Sequence, residues 1–294
     1  MSDQQPSRRP PSAPRRGPPR LLIPLVFAGV LAAYGLLFLP AQMAAWRLAV
    51  ARRQAAAEDW PAALASVDEV LAWDRRNVEA LHVKIGVHMQ QGDLDAALRA
   101  IDDGLAVADP ASDAGLGFLT QRVEILQRAQ RHAEAIKGAG QLVEICKASR
   151  RDELMRMINQ RAYVVARAAA AKSASRKEVL EALADMAAVF QRLRLDSAAA
   201  AQQGGVPLDR WLEEAMYLDT FAYLRLFAGQ REAALRDLSR AEAWCDLIES
   251  VAESAPTTNK PTDMAQFQRQ MRQMRAPILR HRAEALASLG NFDD

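Results

Sequence analysis

Four histidines, two cysteines and a few adjacent carboxylates are the residues of this 294-residue chain whose types suit catalysis or metal binding. None stands in a spacing that makes chemistry. His82 and His88 lie six apart, which a helix of about 3.6 residues per turn places on different faces, while His132 and His281 are isolated. Each reads as a surface or packed residue rather than a metal ligand. Glu213 and Glu214, like Asp102 and Asp103, are neighbours that a helix points about 100° apart, so neither pair converges on one substrate atom. Cys146 and Cys245 fall in apolar helical patterns and read as small core residues, too few for a zinc site or a disulfide framework. There is no His-Glu-x-x-His, Walker loop, Gly-x-Ser-x-Gly or Cys-x-x-Cys, and Gly115-Leu-Gly-Phe is too short for a dinucleotide fingerprint. A non-enzymatic protein without metal or cofactor is expected. Its rival is an enzyme whose site hides in the irregular centre between Asp152 and Pro207.

The elements that carry these side chains are helical. Apolar residues recur at helical spacing almost everywhere beyond residue 45, and alternation bounded by hairpin turns is absent, so the predicted class is all-α. With 50% hydrophobic and 25% charged residues the chain folds, and a net charge of +2 leaves no nucleic-acid footprint. Basic charge is concentrated at the start, where Arg8, Arg9, Arg15, Arg16 and Arg20 alternate with prolines. Residues 1–20 are therefore expected to form a disordered tail. The next stretch, 21–41, has no charge, and at about 1.5 Å per residue it reaches roughly 31 Å, enough for a hydrocarbon core of about 30 Å. A transmembrane helix is predicted over 21–45. The arginine excess on its amino side predicts a cytoplasmic tail and an extracytoplasmic domain over 46–294, making a single-pass membrane protein.

Within that domain, Glu58-Asp-Trp-Pro-Ala-Ala-Leu-Ala-Ser-Val-Asp and Gly92-Asp-Leu-Asp-Ala-Ala-Leu-Arg-Ala-Ile-Asp place Ala63 and Ala97 in one slot, 34 residues apart. Gly229-Gln-Arg-Glu-Ala-Ala-Leu puts Ala234 there, and Gln130-Arg-His-Ala-Glu-Ala-Ile puts Ala135 there. In each, a turn precedes a helix that opens with small residues, which lets two antiparallel helices approach closely. This resembles the tetratricopeptide repeat family. The resemblance implies an α-solenoid of helix pairs, with Ala63, Ala97, Ala135 and Ala234 at the packing points and a protein or peptide as partner. The first helix of the second repeat fits the family pattern better in a frame moved by one residue, with Gly86 at the small slot beside His82, Ile85 and Met89.

Further helices are expected at Leu116–Gln130, Ala133–Ser149, Asp152–Lys172 and Arg176–Leu195, the last opened by a Ser175/Glu178 capping box. The bulk-poor run from Ser197 to Pro207 reads as a loop or a frayed helix end, and helices are expected from Trp211 to about Ser250 and from Thr262 or Asp263 onward. Met155, Met157, Met264, Met271 and Met274 read as core. The last residues, from Ala283, reproduce the close of a first helix and its turn, as a cap or a truncated repeat.

Ligand-facing residues in the family come mainly from the first helix of each pair. Carried over singly, this nominates His82, Gly86, Met89 and Gln90, then Thr120, Glu124, Gln127 and Arg128, and then Asp219, Tyr223, Leu226 and Phe227. The expected function is a membrane-anchored interaction scaffold or assembly factor that uses a repeat groove. The alternatives are the hidden enzyme or a structural subunit of an envelope complex.

Overall fold

A computed structural model gives the structure of residues 24, 27–31, 35, 39–202, 208–254 and 264–290. Among these, every regular element is a helix and no strand occurs. The basic tail lies outside the described residues, as does most of the uncharged stretch 21–41. No helix among the described residues is long and apolar enough to cross a membrane. That finding overturns the single-pass localisation and the extracytoplasmic placement that rested on it. Helix α1 (Leu39–Ala56) enters the part assigned to the span, yet it carries Arg47, Arg52 and Arg53 and buries Leu48, Ala51 and Ala55. It packs on α2 (Trp60–Trp73) as a repeat helix would.

The chain divides into two compact units, residues 1–83 and 84–294, with the division inside α3 (Val78–Gln91). In the first, Arg47 pairs with Glu69 at 3.0 Å and Arg52 with Glu79 at 2.7 Å, while Ser66 Oγ donates to Gln54 Oε1 at 2.8 Å. The second contains α4 (Leu94–Val107), α5 (Asp113–Arg128), α6 (His132–Ser149), a 3-10 turn (Arg151–Glu153) and α7 (Leu154–Ala170). It continues through α8 (Arg176–Gln202), α9 (Leu208–Phe227), α10 (Arg231–Ser254) and α11 (Met264–Gly290). From α4 to α11 each helix packs on the next, and α7 also packs on α9 and α9 on α11.

One turn recurs five times. Glu58, Gly92, Gln130, Lys172 and Gly229 all adopt positive φ, between 57° and 81°, at the end of α1, α3, α5, α7 and α9. After each, an amide reaches back five residues, as in Asp59 to Gln54, Asp93 to His88, Arg131 to Leu126, Ser173 to Ala168 and Gln230 to Arg225. This is the Schellman ending, which satisfies helix carbonyls that would otherwise lack donors. The following helix then begins, with Asp59 and Asp93 accepting side-chain cap bonds from Ala62 and Ala96. Three residues after the first residue of these helices stand Ala63, Ala97, Ala135 and Ala234, all fully buried. The fourth helix pair, α7 with α8, carries no repeat signal in its sequence. Its turn is two residues longer, the capping box opens at Ser175, and Val179 occupies the alanine slot at 3% exposure.

Other boundaries shift for local reasons. Of the two readings of the bulk-poor run, the helix end holds for Ser197–Gln202, where α8 continues because an alanine run lacks bulk yet has the highest helix propensity. The moved frame of α3 does not hold: Leu81 and Ile85 are buried, whereas His82, Gly86 and Met89 are half-buried and nothing lies within 4 Å of a Cβ at Gly86. Close packing falls instead at Gly104 of α4, where a Cβ would stand 2.7 Å from Cζ of the fully buried Phe118 on α5. Met157 and Met271 are buried and Met155 and Met274 half-buried, while the Met264 side chain lies outside the described ones.

Candidate functional site

In the second unit the first helices of successive pairs share a face, and two cavities open on it. One, about 430 Å³, is lined by Gln127 and Arg128 of α5, Arg167 of α7, Tyr223 of α9, and Arg280 and Glu284 of α11. The other, about 380 Å³, is lined by Asn159 and Tyr163 of α7, Met216 and Asp219 of α9, and Met274 and Pro277 of α11. The helical period explains this convergence, since Arg156, Gln160, Tyr163 and Arg167 stand at i, i+4, i+7 and i+11 and fall on one side of α7.

The cavities adjoin a buried polar cluster that fixes α11 to α9. His281 is fully buried, and its Nδ1 lies 2.8 Å from Asp219 Oδ1. Its ring stacks on Tyr223 with centroids 3.7 Å apart and planes 13° from parallel. With Asp219 accepting at Nδ1, that nitrogen carries the hydrogen, and Nε2 faces the Arg280 guanidinium, 3.3 Å away, as an acceptor. Burial pushes the Tyr223 hydroxyl pKa up, and the hydrogen-bonded Glu284 carboxylate adds to the shift. Tyr223 therefore stays protonated and donates to Glu284. The pair shares its residue types with the orienting half of a catalytic triad, but the cation at Nε2 holds the lone pair a general base would use. Its geometry is that of a fastening. Nearby, Arg225 of α9 lies over the Phe221 ring at 4.2 Å and pairs with Asp237 of α10.

The nominated residues separate into three groups. Gln127, Arg128 and Tyr223 come together in the larger cavity, and Asp219 lines the smaller. Tyr223 and Asp219 are only 4% and 7% exposed, so both are mainly packing residues that show one edge. Thr120 is half-buried on α5, and Glu124 pairs with Arg128 at 2.7 Å, but neither lines either of these two cavities. His82 and Met89 are half-buried and Gln90 exposed on α3, where they line neither. The α7 and α11 contributions escaped the nominations because those helices have no key alanine to count from. The polar stripe on α7 was nonetheless visible as a period. Cys146 and Cys245 are buried free thiols, and burial raises the pKa of both. Among the described residues no group of three or more His, Cys, Asp or Glu is placed to hold a metal ion.

No family model matches the chain, and no curated protein matches it. Solved structures do. The nearly identical TPR-like repeats ascribed to a Podosopora anserina kinesin light chain superpose with a TM-score of 0.51 at 14% identity, covering 74% of this chain and 99% of that one. A point variant of those repeats gives a TM-score of 0.53 at 15% identity, covering 72% and 98%. PilW, a type IV pilus biogenesis factor, covers 86% of this chain and 96% of its own at 14% identity, but its TM-score of 0.46 carries no argument. At such identities a likeness speaks to fold and not to ligand. Together with the five matching turns, it establishes that the chain has a TPR-like, all-helical repeat fold.

Proposed function

We propose that this protein is an interaction module that receives an extended segment of a partner protein along the face formed by α5, α7, α9 and α11. The observation that carries the reading is the pair of side-chain-sized cavities on that one face, with walls drawn almost wholly from the first helices of successive pairs. Helices stacked in this way present a continuous surface that no single pair could form. The smaller cavity has apolar walls with a few polar groups and the larger is mainly polar and charged, a combination that suits the mixed side chains of a peptide.

The test is site-specific photocrosslinking in cells. A photoreactive phenylalanine at Tyr163, which lines the smaller cavity, should yield defined adducts identifiable by mass spectrometry. The same probe at Ala187, exposed on α8, should not yield them. Equal adducts from both positions, or adducts from α8 alone, would refute the groove as the contact surface.

A further inference from the structure

The larger cavity is charged in a way that selects its occupant. Arg128, Arg167 and Arg280 reach it from three different helices, and Glu284 is the one carboxylate among its described wall residues. That carboxylate already accepts the Tyr223 hydroxyl and stands 3.9 Å from Arg280. Arg167 makes no ion pair among the described residues. Arg128 holds only the exposed i,i+4 pair with Glu124, an arrangement typically worth a few tenths of a kcal/mol and easily exchanged. His132, also in the wall, has a buried Nδ1 without a hydrogen-bond partner among the described residues.

The smaller cavity differs. Met216, Met274, Pro277 and Ile278 supply apolar walls, and the Asn159 Oδ1 is buried there without a partner among the described residues. Pro277 stands inside α11 and has no amide hydrogen, so the carbonyl of Gln273, four residues back and also in the wall, lacks its helical donor. Each of these acceptors is short of a donor, and an extended chain supplies backbone N–H groups.

Building on the peptide-groove reading, we infer that the protein recognises a segment with a Glu or Asp side chain seated among Arg128, Arg167 and Arg280 and an apolar side chain a few residues away in the neighbouring cavity. The segment's backbone donates to Asn159 and to the Gln273 carbonyl. An internal acidic side chain is the fitting source of the carboxylate, because the exposed face of α5 runs on past the cavity through Glu124, so the segment need not end there.

The probe is a phage-displayed library of random peptides of about twelve residues, panned on the full chain, with albumin as control. Enriched peptides should pair an acid with an apolar residue. In resynthesised peptides, Glu→Gln or Asp→Asn should weaken binding about tenfold or more, whereas amidating the C-terminus should leave it unchanged. Arg167→Glu should also weaken it at least about tenfold, and Arg128→Gln by less, with thermal unfolding of both variants unaltered. The inference is overturned by enriched peptides that lack acids, by acid dependence indifferent to Arg167→Glu, or by binding that amidation abolishes. An absence of enrichment over albumin would sink the groove reading itself.

Discussion

Replacing His281 by alanine is the sharpest probe of how the groove is held. The ring is fully buried, bonded to Asp219 at 2.8 Å and stacked on Tyr223 at 3.7 Å. Its removal strips the N–H from a carboxylate that is only 7% exposed. Breaking a buried pair by deleting one member typically costs about 3–5 kcal/mol, and losing a stacked ring adds about 0.5–1.5 kcal/mol. A domain of this size loses about 2–4 °C per kcal/mol, so the unfolding midpoint should fall by about 10–20 °C in a circular-dichroism melt. Hydrogen exchange should show α11 loosening first. Asp219→Asn keeps an acceptor for Nδ1–H and should cost only about 1–2 kcal/mol. The double variant Asp219→Leu, His281→Phe leaves no orphaned polar group and should recover most of the loss. A cost below about 1 kcal/mol for His281→Ala, or a double variant as poor as the single one, would refute the claim that this pair fastens α11 to α9.

Gly92→Ala should lose about 1–2 kcal/mol in urea unfolding, since φ is +81° there and nothing lies within 4 Å of the new Cβ, so backbone strain is the whole effect. Gly104→Ala tests the opposite case: its Cβ would meet Phe118 at 2.7 Å, and an overpacking cost of about 1–3 kcal/mol should outweigh the gain of about 1 kcal/mol in helix propensity. A stabilised protein would mean that the ring gives way freely. Bonds from the Ser175 hydroxyl and backbone hold the Glu178 carboxyl below its ordinary pKa, so its contribution is present above the ordinary carboxylate range and is lost as pH falls through the folded value. Glu178→Gln should accordingly flatten the acid side of the stability profile, and an unchanged profile would rule out the cap. Buried Cys146 and Cys245 should resist iodoacetamide until urea unfolds the chain, as read by mass spectrometry.

Much of the fold could be read from local pattern. Ala63, Ala97, Ala135 and Ala234 mark where one helix must lie close to another, and the turn before each is written in the preceding few residues. Helix type, approximate bounds and the Ser175 cap follow from short-range preferences in the same way. What resisted was whatever depends on count. Two extra residues after Lys172, with Val179 in the alanine slot, hid a repeat that obeys the same backbone rules. Hydropathy alone likewise suggested an anchor, which the described helices do not support.

The helical class and four of the five repeat turns follow from sequence alone, because turns and caps depend on residues within about five positions of one another. Tertiary structure decided how the site is assembled. His281 and Asp219 lie 62 positions apart and meet only because α11 folds back beside α9, just as Arg128, Arg167 and Arg280 converge from three helices. An isolated histidine and scattered arginines carry no periodic signal of such meetings, since the distance between them is set by how helices stack rather than by where each stands in the chain.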